Sequence, residues 1–118
     1  MAVEIPEARE LAARIVDALA DHFGEDILML DIRDMTPLAD YFVIASSTSE
    51  RQMKALVEAL LEMRTLSGHK PRVEGEPESG WVLLDFGGVI THLFSGEKRR
   101  RYRLEEVWGQ AHMVVRLQ

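Results

Sequence analysis

Residues 80–94 read GWVLLDFGGVITHLF, two apolar runs either side of a Gly-Gly pair. Glycine tolerates positive φ, so the pair favours a two-residue type I′ or II′ turn between two strands. With Gly87 and Gly88 as the loop, Phe86 pairs with Val89 and the register runs outward from there. Side chains alternate along each strand. One face then carries Val82, Leu84, Phe86, Val89, Thr91 and Leu93, and this is the core face. The other carries Trp81, Leu83, Asp85, Ile90, His92 and Phe94, large apolar groups mixed with an acid and an imidazole. A sheet apolar on both sides needs cover on both.

The rest of the chain supplies the candidates for that cover. Pro6 suits the first turn of a helix. Leu11, Ile15, Val16, Leu19 and Phe23 then recur at helical spacing, and Gly24 stands where a glycine cap would stop the helix. DILMLDI, residues 26–32, reads as a mostly buried strand, and Pro37 bars a helix through the following RDMTPLAD. YFVIA, residues 41–45, is a second short strand. Ser49 and Gln52 fit a capping box, with the hydroxyl on the Gln52 amide and the Gln52 side chain reaching back. Met53, Leu56, Val57, Leu60 and Leu61 form one stripe, and Gly68 is the stop. PRVEGEPESG gives a short polar strand and then a loop. After the hairpin, a last helix is expected from about 97 to 111. The tail HMVVRLQ has neither a cap nor a clear period and is not placed. No repeat or linker interrupts residues 1–118, which read as a single domain.

Two amphipathic helices would cover one side of a small sheet. The Trp81 face then has two readings. Either the third helix folds over it, or it is an interface, as apolar patches centred on Trp and Phe often are. Burying a tryptophan of ~150–250 Å² at ~25 cal/mol per Å² is worth roughly 4–6 kcal/mol before entropy, which is hot-spot scale.

Composition narrows the function. The 118 residues hold 14 basic and 20 acidic side chains, a net charge of −6. Phosphate binding rests on Lys and Arg releasing counterions, so the chain as a whole is a poor nucleic-acid wrapper. The charge is uneven, however: KRRRYR, residues 98–103, holds five of the basic residues and no acid. That run reads as a solvated helix face or as a basic strip near RNA on an otherwise acidic protein. There is no cysteine, which excludes disulfides and thiolate metal sites and fits a reducing cytoplasm. The start, MAVEIPEARELAARIV, has the pattern of neither a signal nor a transit peptide. No run approaches the ~18 apolar residues of a membrane span.

Enzyme motifs are missing. GxxxxGK[ST], GxGxxG, GxSxG and HExxH do not occur, and His22, His69, His92 and His112 lack ligand spacing. A reduced nucleotidyltransferase would use Asp31 and Asp34 of LDIRD with Ser47 and Ser49, but the Gly-Ser loop and the alternating aspartates of that signature are not there. The SSTSERQ turn suits an anion at a helix N-terminus, and capping alone also explains it.

Three segments in series, ADYFVIASSTSERQ, VEGEPESGWVLLDFGGVITHLF and RRRYRLEEVWGQA, together resemble the ribosomal silencing factor family, also called Iojap. The resemblance runs from about residue 26 to 111 with family-like spacing. It implies a non-enzymatic translation repressor without cofactor or metal, acting in the cytoplasm when nutrients run short. Such proteins bind the large ribosomal subunit at its basic ribosomal protein fourteen and block joining of the small subunit. Organellar relatives are linked to large-subunit assembly. The implied fold is a small two-layer α/β domain, a mixed β-sheet with helices mainly on one face and nucleotidyltransferase-like topology without the catalytic residues. The resemblance also implies a homodimer when free.

By matched position Asp40, Ser49, Arg51, Gln52, Glu74, Gly75, Trp81, Asp85, His92, Arg101, Tyr102, Leu104, Glu105 and Trp108 stand at family motif residues. Gly88 replaces the family's usual aspartate at the hairpin tip, and SSTS replaces its more usual TGxS. The expected partner-binding residues are Trp81, Leu83, His92 and Tyr102 as anchors, with Asp85 and Glu105 facing Lys or Arg on the partner. A peripheral contact with ribosomal RNA is one of the two readings of residues 98–103, and the sequence does not choose between it and a solvated face. Leu104 and Trp108 equally suit a stripe that packs the last helix on the sheet.

Overall fold

The computed structural model describes residues 7–63, 70–108 and 111–117. Pro6 and Gly68 lie outside them. Six strands form one open sheet: β1 (Glu25–Asp31), β2 (Tyr41–Ser47), β3 (Arg72–Glu76), β4 (Trp81–Asp85), β5 (Val89–Ser95) and β6 (His112–Leu117). Their order is β3-β4-β5-β2-β1-β6. β2 and β5 run parallel and every other neighbouring pair antiparallel. β2 is buried along its whole length, as a central strand covered on both faces must be.

Helices α1 (Glu7–Asp21) and α2 (Glu50–Leu61) pack on one face. Their stripes, Leu11, Ile15, Val16 and Leu19 with Met53, Leu56, Val57 and Leu60, meet Ile27, Met29, Val43, Val82, Leu84, Val89 and Leu93 of the sheet. The hairpin has the expected register. Trp81 opposes Phe94, Leu83 opposes His92, Asp85 opposes Ile90, and the Phe86 amide bonds the Val89 carbonyl at 2.8 Å. Positive φ occurs at Gly87 and not at Gly88, the pattern of a type II′ turn.

Three local expectations change. α1 ends in a Schellman motif whose left-handed residue is Phe23 (φ 66°), not Gly24. The Gly24 amide bonds the Leu19 carbonyl and the Phe23 amide the Ala20 carbonyl. Phe23 therefore leaves the apolar stripe and is 79% exposed. In α2 the Ser49 hydroxyl accepts from the Gln52 amide at 3.0 Å as expected. The Gln52 side chain, however, accepts from the Thr48 amide at 2.6 Å and donates to the Phe23 carbonyl at 2.7 Å. It ties the start of α2 to the end of α1 rather than closing a box on Ser49.

The last helix is not continuous. It breaks at Arg103 (φ 48°) into α3 (Gly96–Tyr102) and α4 (Leu104–Val107). The turn sets Leu104 and Trp108 against the second sheet face, and that packing outweighs continued helix. The unplaced tail becomes β6, an edge strand on β1 with Val115 opposite Met29.

Candidate protein-binding face

The second sheet face is a smaller apolar layer: Leu28, Leu30, Ile32, Ala39, Phe42, Ile44 and Phe94 are buried, with Trp81, Ile90, Leu104, Trp108 and Ala111 packed against them. Both readings of the Trp81 face are thus partly met. α3 and α4 cover its middle, and the β4 side stays half-open.

The aromatic groups on it are held by geometry that can be traced residue by residue. His92 stands on β5 with Leu83 opposite, the Phe42 ring edge-on at 5.2 Å and the Phe94 ring stacked at 6.1 Å. The imidazole is 6% exposed, and burial pushes its pKa down to about 4. It is therefore neutral at pH 7. The Trp81 Nε1–H donates to His92 Nδ1 at 3.2 Å. An indole only donates, so Nδ1 is the acceptor and the ring proton sits on Nε2. Trp81 in turn packs on Phe94 and Tyr102 with centroids 4.9 and 4.8 Å apart. Its N–H is satisfied inside the protein, so what it offers outward is apolar ring. Phe42 closes the far side edge-on to Trp108 at 4.9 Å.

The expected anchors thus come together, in different states. Trp81 and Leu83 are half-buried, Tyr102 is exposed, and His92 is enclosed. The two expected acids already have partners inside the chain. Asp85 Oδ1 accepts from the Gly87 amide at 2.8 Å, bracing the hairpin turn. Glu105 Oε2 accepts from Arg99 Nε at 3.0 Å.

Arg99 departs from both readings of its run, the solvated face and the strip near RNA, because it is buried. It is 6% exposed, donates to the Ser46 hydroxyl at 2.9 Å, and lies 3.4 Å from Asp26, which also meets Arg116 at 3.4 Å. Asp26 sits at φ 47° where the β1–β2 register shifts. One guanidinium thus ties α3 to β1, β2 and α4. No spacing in the sequence marks it out from its arginine neighbours.

The residues of the nucleotidyltransferase alternative are not brought together. Asp31 opposes Tyr41 in the β1–β2 pairing, six residues before Ser47, which puts the two roughly 20 Å apart along the sheet. Arg33 bonds the Asp31 carboxylate at 2.7 Å and holds its pKa below the usual carboxylate range. Ser49 is the cap of α2. Among the described residues no cluster of three or more His, Asp and Glu is placed to hold a metal, and no helix is long and apolar enough to cross a membrane.

Comparison with known proteins places these features in context. A family model described as "Ribosomal silencing factor during starvation" matches residues 5–118. The ribosomal silencing factor RsfS of Zymomonas mobilis is 38% identical over 96 residues, covering 80% of this chain and 72% of that protein. The mouse "Mitochondrial assembly of ribosomal large subunit protein 1" is 33% identical over 98 residues, 80% of this chain and 43% of its own length. A crystal structure of a Chromobacterium violaceum protein superposes with a TM-score of 0.77 at 34% identity, covering 91% of this chain and 88% of that one.

Proposed function

Because the chain belongs to the ribosomal silencing factor family, we propose that it represses translation from the large ribosomal subunit, docking on ribosomal protein fourteen and keeping the small subunit from joining. The carrying observation is the half-open hairpin face. Trp81 and Leu83 lie side by side on it, with Asp85 at its edge, on a chain of net charge −6. An acidic surface with an apolar centre complements a basic ribosomal protein. Trp81 and Leu83 make the apolar contact, Tyr102 supports Trp81 at its margin with centroids 4.8 Å apart, His92 holds Trp81 from beneath, and Asp85 faces partner cations with the carboxylate capacity its turn leaves free. Glu105 contributes through Arg99, by fixing α4. The role is non-enzymatic and cytoplasmic, and free copies pair as homodimers.

The test is subunit joining followed by light scattering, with purified large subunits preincubated with the protein before small subunits are added. The joining signal is expected to be lost and to return with Trp81→Ala, whose binding should weaken by about 2 kcal/mol, some thirtyfold. Unimpaired joining at saturating wild-type protein would sink the silencing mechanism. Full-strength binding by a folded Trp81→Ala would remove Trp81 from the contact. The name of the mouse relative favours a second reading, a role in large-subunit assembly. Accumulation of immature large subunits on deletion, with joining unaffected, is its signature.

A further inference from the structure

We propose that the outward face of α3 binds single-stranded RNA, with Tyr102 as a stacking surface for a base and Lys98 and Arg101 as contacts for the flanking phosphates. It rests on the ribosome-docking reading, which would bring RNA of the large subunit beside the hairpin face.

The five cations of residues 98–103 do not form one uniform strip. Arg99 is turned inward and neutralised by Asp26 and Glu105. Arg103 leans on Glu106 at 3.8 Å and bonds the Arg100 carbonyl. Among the described residues no carboxylate lies within ion-pair distance of Lys98, Arg100 or Arg101, and of these three Lys98 and Arg101 share an aromatic partner. Both lie over one aromatic ring, at the outer limit of a cation–π contact: Lys98 Nζ is 5.8 Å and the Arg101 guanidinium carbon 5.9 Å from the Tyr102 centroid. The spacing i, i+3, i+4 puts the three on one side of the helix.

Tyr102 is 43% exposed, yet its ring is backed by Trp81 at 4.8 Å. Ordering it for a ligand therefore costs little. A half-exposed ring beside two cations that only long cation–π contacts hold matches the alternation of base and phosphate along a strand. An acidic peptide would use the cations and leave the ring bare. The net charge of −6 repels phosphate over most of the surface, which confines a bound strand to this face.

The first experiment is fluorescence anisotropy of a fluorescein-labelled twelve-nucleotide oligouridine with the full chain, from 50 to 200 mM salt. Wild type should bind with a log–log salt slope of about −1.4, two phosphates at roughly 0.7 each. Lys98→Gln with Arg101→Gln should flatten that slope. Tyr102→Leu, which keeps apolar bulk on Trp81 but removes the π-face, should weaken binding about tenfold. In a second experiment the Lys98→Gln/Arg101→Gln protein should bind large subunits more weakly than wild type and isolated ribosomal protein fourteen equally well. Absence of oligouridine binding at 50 mM salt, or an unchanged slope in the double variant, overturns the proposal. Loss of binding to isolated protein fourteen by the double variant also overturns it, making the face a protein contact. If wild type binds neither subunits nor protein fourteen, the docking reading fails, and the oligouridine titration still decides the RNA site.

Discussion

Lowering the pH from 7 to 5 should cost this protein about 2 kcal/mol of stability through His92 alone. Folding encloses the imidazole among Phe42, Phe94, Trp81 and Leu83, and its pKa falls from 6.5 to about 4 because burial penalises the cation. The folded state thus resists protonation while the unfolded chain accepts it. Between those two values the unfolded state binds more protons, so stability rises with pH across that window. The contribution is complete above about pH 6.5 and is lost as pH falls toward 4. At about 1.4 kcal/mol per pH unit of separation, the full loss is about 3 kcal/mol, of which about 2 falls between pH 7 and 5. Asp31 does not confuse this window. Arg33 holds its carboxyl low, so its stabilisation is lost only as pH falls below the ordinary value of 3.8. The measurement is urea unfolding at pH 7 and pH 5 for wild type and for His92→Gln. Glutamine can still accept from the Trp81 N–H but cannot titrate. The variant should lose about 2 kcal/mol less than wild type over the interval. Equal losses would show that His92 is not held neutral by burial, and the account of the aromatic cluster would fall with it.

Two further substitutions test the departures from local expectation. Phe23→Gly should stabilise by about 1 kcal/mol, because a bulky left-handed residue is strained and Phe23 is too exposed to contribute much packing; a lower urea midpoint would refute this. Arg99→Met should cost about 2–3 kcal/mol, below the ~3–5 for breaking a fully buried pair, since Asp26 and Glu105 both reach water. Amide exchange in α4 should quicken in that variant, and wild-type protection there would remove Arg99 from its proposed role as the tie.

The hairpin faces, the α1 and α2 stripes and the Ser49 cap were legible in the sequence, because each is set by residues within a few positions of one another. Period-2 and period-3.6 patterns, a Gly-Gly turn and a hydroxyl three residues before an amide carry their own geometry. The family was legible for a related reason: three motifs in fixed order are local strings. Charge was legible only as a sum. KRRRYR announced five cations, but which one would be buried depended on Asp26, Ser46 and Glu105, brought together from three separate elements.

The same division explains the remaining misses. Phe23 had the right spacing for the stripe, and the Schellman turn, tied to α2 by Gln52, took it out. The helix expected from 97 to 111 had no glycine or proline at residue 103, where it bends. It bends at Arg103 because the bend lets Leu104 and Trp108 cover Phe42 and Ile44, a gain that exists only once the sheet has formed. The tail lacked period because its order comes from hydrogen bonds to β1, more than eighty residues away. Sequence alone therefore determined which side chains share each local face and what family they belong to. Tertiary structure decided which of those faces are covered, and by what, because burial and ion pairing are properties of partners distant along the chain.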